Sequence, residues 1–354
     1  MLRLTLPLLL LVAATSALGQ QREDFVSEAS HVVGMYQPPF GRNAPENQVE
    51  AAKTFLQTLD AKQRERVGHE LGSPERRLWT NLPAPADAGG LRLGDMNEKQ
   101  IKAVCDLMAT LLSKQGYEKM RNIMLADDQL LREGKPRRGF GTENFSVVLF
   151  GSPSPTQPWG FQLDGHHVGV NVSMTGKAMT LSPSFIGTQP QSFSIAGKKY
   201  RPLTGEIDDA YKLVGSLNRE QILQAVLRKK RGFIRVGPGN DGTIPPAKGV
   251  LCSSFNAEQR AVLIGLIGQW VNDLPEKQAQ QRMEQLRQEI DQMRFSWNGP
   301  LQPGSDVSYY IQGPSLIIEY ACQDLGGDPL EHLHSIYRDP TNEYGGQLTD
   351  KRQP

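Results

Sequence analysis

The sequence of 354 residues contains little cysteine and no excess of either charge. Its three cysteines, Cys105, Cys252 and Cys322, are widely spaced, which excludes a disulfide scaffold and every zinc-finger or thioredoxin pattern. The 39 Lys and Arg residues nearly balance the 38 Asp and Glu residues, so the charge favours no nucleic-acid partner. The sequence also contains no HExxH, no G-x-S-x-G elbow and no phosphate loop. It therefore gives no motif evidence for the common hydrolases or nucleotide-binding proteins that carry them.

Long hydrophobic runs are missing as well, except at the N-terminus. Arg3 precedes an apolar run from Leu6 to Val12, and Ala17-Leu18-Gly19 provides the small residues of a cleavage site. The run is shorter than the roughly 20 residues that a membrane-spanning helix needs. Residues 1–19 are therefore predicted to be a cleaved signal peptide, and the mature chain to be exported, periplasmic or extracellular, with no membrane span.

Residues 20–354 are predicted to form a single large α+β domain. Apolar residues at helical spacing predict helices over 46–71 and in 95–131, so that 20–140 is mainly helical. Residues 141–354 contain the sheet: strand-like runs lie within 145–200 and 295–320, and helices are expected at 206–215, 218–230, 256–271 and 276–293. Blocks of helices and strands in this order favour a mostly antiparallel sheet flanked by helices.

Four consecutive basic residues, 228–231, follow the helix that Asn218 and Gln221 are expected to begin as a capping box. One interpretation is a solvated helix C-terminus whose charges complement the helix dipole. The other is a site for an anion.

Histidine is scarce, and four of the six histidines fall in two short segments. His332 and His334 are two residues apart, so in a strand their rings share one face. His166 and His167 are adjacent, and in a regular strand only one of them can face a shared site unless a bulge or turn at Gly165 intervenes.

These histidines, with a nearby carboxylate, are the ingredients of a transition-metal site. Glu319 is expected on the strand next to His332 and His334, as a fourth ligand or general base, with His166 or His167 completing the set. Imidazoles with one carboxylate suit zinc, iron, manganese or copper. Arg338 and Asp339 are further candidates for catalysis, and Tyr309, Tyr310 and Tyr337 lie close by in sequence.

Three functions are compatible with this pattern. The first is an exported metal-dependent enzyme, hydrolase-like or possessing redox chemistry, that acts on a small polar substrate. The second is a secreted protein that binds a metal or small ligand without catalysis. The third is a structural domain whose histidines form hydrogen bonds within the sheet.

Several segments resemble the family known as domain of unknown function 3500. They include Trp159-Gly160, Gly165-His166-His167, Ser184-Phe185-Ile186-Gly187, Tyr310-x-Gln312-Gly313-Pro314, Ile318-Glu319-Tyr320 and His332-x-His334-Ser335-x-Tyr337-Arg338-Asp339-Pro340. The resemblance covers most of the mature chain and implies a single long domain, often exported. It implies no particular reaction, and Ala321–Glu331 departs from the Asn-rich segment of other members.

Overall fold

The computed structural model describes residues 24–83, 89–133, 139–325 and 327–349. The predicted signal peptide, residues 1–19, lies outside the described residues, so cleavage and export stay predictions. Within the described ranges, no helix combines the length and apolar character needed to cross a membrane. All three cysteines are buried and free.

The protein is an α+β protein. Its α-helices are α1 (Glu28–Met35), α2 (Pro45–Thr58), α3 (Ala61–Val67), α4 (Glu98–Leu111), α5 (Lys114–Arg132), α6 (Thr204–Ser216), α7 (Arg219–Ala225), α8 (Ala257–Val271), α9 (Glu276–Glu289) and α10 (Gly346–Thr349). Residues from both sides of position 140 contribute to one large hydrophobic core.

The predicted helix over 46–71 is two helices. The chain is extended at Leu59 and Asp60, and the Asp60 side chain accepts a hydrogen bond from the backbone N–H of Gln63. Because the Gln63 side-chain oxygen in turn accepts a hydrogen bond from the backbone N–H of Asp60, a capping box begins a new helix at this point.

The main sheet is mixed and mostly antiparallel. Its strands are β1 (Gly68–His69), β2 (Leu91–Arg92), β3 (Ser146–Phe150), β4 (Trp159–Gly165), β5 (Val168–Thr175), β6 (Ala178–Thr188), β9 (Val226–Arg228), β10 (Val250–Leu251), β11 (Arg294–Asn298), β12 (Ser308–Gln312), β13 (Ile317–Cys322) and β14 (Leu333–Arg338). They follow the order β1-β3-β4-β5-β6-β14-β13-β12-β11-β10, while β2 pairs with β3 and β9 with β11. A separate hairpin consists of β7 (Phe193–Ile195) and β8 (Lys198–Tyr200).

The pairing of β6 with β14 positions the site. These antiparallel strands place His334 opposite Gly187 and Ile336 opposite Phe185. Two blocks of strands that are distant in sequence therefore form one sheet, which brings both histidine segments together.

The two faces of the sheet have different covers. On one face, helices pack against β12 and β14: Trp270 of α8 donates to the hydroxyl of Ser335, and the Tyr309 hydroxyl donates to the carbonyl of Glu206 in α6. Residues that alternate with these point to the opposite face. The segment 229–249 lies across that face, where the Glu319 side chain of β13 accepts hydrogen bonds from it.

The segment 229–249 packs on this second face through a small apolar cluster. Val236 belongs to this cluster and Ile234 packs against it. Its other members come from five other parts of the chain: Trp79, Phe185, Ile317, Ile336 and Tyr344. The histidine cluster lies on the same face, because His334 and Ile336 alternate with the helix-facing Ser335.

The basic run 228–231 does not end a helix. The capping box of Asn218 and Gln221 is present, but α7 ends at Ala225. Val226 and Arg228 instead pair in parallel with Trp297 and Asn298 of β11. The predicted helix over 218–230 was too long. The β-branched residue Val226 favours a strand, and its backbone pairs with β11 instead of continuing the helix. The helix-dipole interpretation of the basic run is therefore wrong.

Candidate metal centre

His166 and His167 form the two-residue turn between β4 and β5. Gly165 and Val168 are the last paired residues of the two strands, and His167 has a φ of 68°. This left-handed conformation turns both rings to the same side, where they stack with centroids 3.7 Å apart. The rule that adjacent strand residues face opposite sides does not apply here, because the pair lies in a turn.

His332 and His334 flank Leu333 at the start of β14. The backbone carbonyl of His332 accepts a hydrogen bond of 2.7 Å from Gln323, so the strand pairing extends to it. The Nε2 atoms of His332 and His334 lie 3.0 Å apart. The same-face geometry that their spacing predicts is therefore present.

Three imidazole nitrogens converge on one point. The Nε2 atom of His332 lies 2.8 Å from Nε2 of His167 and 3.0 Å from Nε2 of His334. Ligand atoms from these three residues all lie within 4.8 Å of one another. Tetrahedral bonds of about 2.0–2.1 Å to a metal ion require nitrogens about 3.3 Å apart, so the distances from His332 to the other two rings would each increase by only a few tenths of an ångström.

The protons available to the cluster also favour a cation at its centre. The Nδ1 atom of His332 lies 2.6 Å from the carbonyl oxygen of Leu325, so it carries the proton that this contact needs. In the neutral ring, Nε2 then has one lone pair and no hydrogen. The Nε2 atom of His332 nevertheless faces two other Nε2 atoms at hydrogen-bonding distance. A single lone pair cannot accept two hydrogen bonds with good geometry. A metal ion held by all three nitrogens removes this conflict.

Gly187 makes the close approach of the rings possible. A Cβ at this position would lie 2.8 Å from Cδ2 of His167, 3.0 Å from Cδ2 of His334 and 2.8 Å from the carbonyl oxygen of Leu333. Its backbone N–H donates to the carbonyl of His167 at 2.7 Å, which fixes the β4–β5 turn against β6. Only glycine fits between the two imidazoles.

The environment keeps these rings neutral, as metal ligands must be. The pKa values of His167 and His334 lie well below the usual range. Burial is the largest cause of this shift, and the neighbouring imidazoles add to it. Burial likewise lowers the pKa of His332 to about 4. His167 and His332 are 1% and 6% exposed, whereas His334 is half-buried, so solvent reaches the cluster on the side of His334.

A second group extends from the first through His167. Asp127 of α5, His166 and His167 also place possible ligand atoms within 4.8 Å of one another. The Oδ1 atom of Asp127 lies 2.5 Å from Nδ1 of His166, and its Oδ2 accepts from the backbone N–H of Gly141. The His166 ring is stacked between His167 and Phe140. Asp127 therefore fixes the orientation of His166, as carboxylates do for functional histidines.

Glu319 lies on the histidine face of the sheet but does not join either group. It is opposite Ile336, and both of its oxygens are bound: Oε1 accepts from Nε of Arg235 at 2.6 Å, and Oε2 accepts from the backbone N–H groups of Arg235 and Val236. The predicted role as fourth ligand or general base does not fit this arrangement. Glu319 anchors the segment 229–249 to the sheet.

Arg338 and Asp339 are also engaged away from the histidines. Arg338 donates to the carbonyls of Val236 and Asn240 and pairs with Glu343, so it fixes the other side of the same segment. Asp339 forms an ion pair of 3.3 Å with Arg282 and accepts hydrogen bonds from Thr341. Neither residue is among the described groups that could hold a metal.

The three tyrosines are hydrogen-bonded at separate places. Tyr309 contacts the Glu206 carbonyl on the helix-covered face, and Tyr310 donates to the carbonyl of Phe233 in the segment 229–249. Tyr337 faces Arg282 of α9. The structure therefore gives none of them a contact with the histidine cluster.

The fold and this geometry define an α+β protein with a cluster of three histidines at the junction of two strand blocks. The family profile described as "Protein of unknown function (DUF3500)" matches residues 42–346, and the chain belongs to this family. No curated protein matches the chain in sequence, and no solved structure matches its fold.

Proposed function

We propose that the protein is a metal-dependent enzyme, hydrolase-like, that acts on a small polar substrate. The observation that carries the proposal is the convergence of imidazole nitrogens from His167, His332 and His334. The Nε2 atom of His332 lies 2.8 and 3.0 Å from Nε2 of the other two, and ligand atoms of all three residues lie within 4.8 Å of one another. Three neutral imidazoles suit zinc, copper, iron or manganese better than magnesium or calcium.

The side chains divide the work between binding and proton transfer. Three histidines satisfy three positions of a tetrahedral ion and leave one open, which is the arrangement of catalytic rather than structural zinc sites. A zinc ion held by these three histidines would supply a bound water with a pKa lowered to about 7. His166, whose Nδ1 is held by Asp127, lies against the His167 ring and is the candidate general base.

Elemental analysis of protein purified without chelators or a histidine tag tests the metal site. The wild type should contain about one equivalent of a transition metal, and the variant His332→Ala/His334→Ala should contain none. The matched control is His31→Ala/His69→Ala, which removes the same number of imidazoles outside the cluster and should retain the metal. Absence of metal from the wild type after reconstitution with all four ions would reject the proposal.

A non-catalytic metal-binding protein is the second candidate, and one observation favours it. His167 and His332, 165 residues apart, are both buried, so an ion between them would tie the β4–β5 turn to β14 as a structural cross-link. Such a site is expected to be closed, with no exchangeable water on the metal.

The variant His166→Gln distinguishes the two candidates. If His166 is the general base, the variant keeps the metal and loses hydrolysis of activated ester, amide and phosphoester substrates by about 10²-fold or more. If the metal is only structural, wild type and variant are equally inactive, and azide or another small anion fails to change the spectrum of the cobalt-substituted protein.

We also propose that the chain is exported, on the basis of the predicted signal peptide at residues 1–19. Expression of the full chain in a secreting host, followed by N-terminal sequencing, should give a mature protein that begins at Gln20. An uncleaved N-terminus in protein retained in the cytoplasm would contradict this.

A further inference from the structure

A basic pocket lies between the strands β11 and β12 and the segment 229–249. Its volume is about 460 Å³, within the range of small-molecule sites, and its floor is formed by residues of the two strands. It lies on the same sheet face as the histidine cluster, because Asn298, Ser308, Ala321 and His334 occupy one cross-strand row. Three strand spacings, about 14 Å in all, separate Asn298 from His334.

Four cationic side chains line this pocket, and no carboxylate does. They are Arg228, Arg235, Lys248 and Arg294. Among the described residues, the carboxylate that forms an ion pair with one of these cations is that of Glu319, which is fully buried and binds Arg235. Like charges that line one cavity repel one another, so the arrangement is stabilised by an anion.

The four cations differ in what else they do. Arg235 is held by Glu319 and lies over the ring of Tyr310 at 4.1 Å, and Arg294 donates to the carbonyl of Gly249. Arg228 and Lys248 are exposed, and their side chains have no hydrogen bond or ion pair within the described part of the chain. Two cations are thus fixed in place, and two have no bonded partner. Arg235 is fixed through Nε, so the terminal nitrogens of its guanidinium are also available to a ligand.

The remaining walls combine buried polar groups with exposed apolar ones. Ser296 and Asn298 are 2% and 3% exposed and point from β11 into the pocket. The Ser296 hydroxyl has no hydrogen-bond partner among the described residues, so it is available to a ligand oxygen. Leu227 and Phe233 are 42% and 61% exposed at the pocket, so they offer an apolar surface to a ligand. The Arg231 guanidinium lies over the Phe233 ring, 5.2 Å from its centroid.

We propose that this pocket binds a small organic anion, a phosphate monoester or a carboxylate, with its charged group at Arg228, Arg235 and Lys248 and its apolar part against Leu227 and Phe233. Guanidinium groups match both kinds of anion by paired hydrogen bonds, and the lysine adds a point charge. The basic run in the sequence is thereby explained in part by ligand binding. Arg231 of the same run is instead buried in ion pairs with Asp306 and Asp324.

The proposal does not depend on a metal at the histidine cluster. At about 14 Å the pocket is a separate site, and every residue that it uses lies on β9, β11, β12 or the segment 229–249.

Isothermal titration calorimetry with four probes tests it: phenyl phosphate, benzoate, inorganic phosphate and phenol. The full mature chain should bind phenyl phosphate or benzoate saturably and more tightly than phenol or inorganic phosphate. Preference for one of the two aromatic anions identifies the charged group. The variant Arg228→Gln/Lys248→Gln should bind the preferred probe at least about tenfold more weakly, which corresponds to about 1.4 kcal/mol.

The matched control is Lys229→Gln/Lys230→Gln, which removes the same charge from exposed neighbours that do not line the pocket. It should bind as the wild type does. Equal weakening in both double variants would mean that general surface charge attracts the probe and would overturn the proposal. So would the absence of saturable binding of both aromatic anions in the folded wild type.

Discussion

The Nε2 atom of His167 lies 2.8 Å from the Nε2 atom of His332, although 165 residues separate them in the chain. This contact depends on a two-residue turn at one end and on the first residues of a strand at the other. The β6–β14 pairing holds both ends in one sheet.

Replacement of Gly187 by alanine should abolish metal binding. The added methyl group would overlap with His167 and with the Leu333 carbonyl, each 2.8 Å from the new Cβ, so the two imidazoles would be driven apart. Metal content measured by elemental analysis should fall to background, and unfolding should cost about 1–3 kcal/mol less than in the wild type.

Gly265→Ala is the control for Gly187→Ala. Gly265 lies in α8, and a Cβ there meets nothing within 4 Å. Metal content should not change, and stability should rise by up to about 1 kcal/mol because alanine favours helix. Normal metal content in Gly187→Ala would show that the rings do not need this close approach.

Metal binding should stabilise the fold. An ion that binds only the folded state at a hundredfold excess over its dissociation constant adds about 2.7 kcal/mol. Differential scanning calorimetry with zinc and with EDTA should therefore show a higher melting temperature with zinc. The difference should vanish in His332→Ala/His334→Ala and persist in His31→Ala/His69→Ala.

Glu319→Gln should destabilise the protein without removing the metal. The substitution keeps the shape of the side chain but removes the charge that binds Arg235 and two backbone N–H groups, so the segment 229–249 loses its main polar anchor. A loss of about 2 kcal/mol in denaturant unfolding is expected. If Glu319→Gln folds normally but loses its metal, Glu319 is a ligand and the present assignment fails.

Asp164 should make stability depend on pH. Burial raises the pKa of this carboxyl to about 7, against an ordinary value of 3.8, although the Thr80 and Gly165 N–H groups oppose the shift. Between these two values the folded state keeps a proton that the unfolded state releases, so stability falls as pH rises, at about 1.4 kcal/mol per pH unit.

Asp164→Asn isolates this effect, because the amide oxygen can still accept from Thr80. Unfolding by urea at pH 4.5 and 7.5 should show that the stability of the variant relative to the wild type increases as pH rises. A constant difference between the two proteins across this range would contradict the raised pKa.

Periodicity alone predicts part of the site. The two-residue spacing of His332 and His334 gives a shared face because strand geometry leaves no other choice. The rule does not apply to His166 and His167, because they lie in the turn after Gly165, which the sequence left as an alternative. His167, but not His166, joins His332 and His334. The left-handed φ at His167 that orients the rings has no signal in the sequence.

Partners that come from distant elements escape sequence reasoning. Glu319 was expected beside the histidines, and it does share their face, but its carboxylate binds Arg235, which a long segment brings from 84 residues away. Asp127 gives no signal at all: it is one polar residue of α5 that meets His166 only in the folded protein. Gly187 is recognisable as a requirement only when both rings are in place.

The α+β class and the mostly antiparallel sheet were predicted correctly, because alternation and helical spacing are local signals. The end of α7 was not, since Val226 leaves the helix to pair with Trp297, a residue 71 positions later in the sequence. Tertiary pairing overrides local propensity there.

Anomalous diffraction from crystals of the mature protein grown with zinc tests the central claim most directly. A map from data collected at the zinc absorption edge should contain one strong peak, about 2.0–2.1 Å from the Nε2 atoms of His167, His332 and His334 together. A peak bound only by Asp127 and His166, or no peak near these histidines in a fully zinc-loaded crystal, would contradict the three-histidine metal centre.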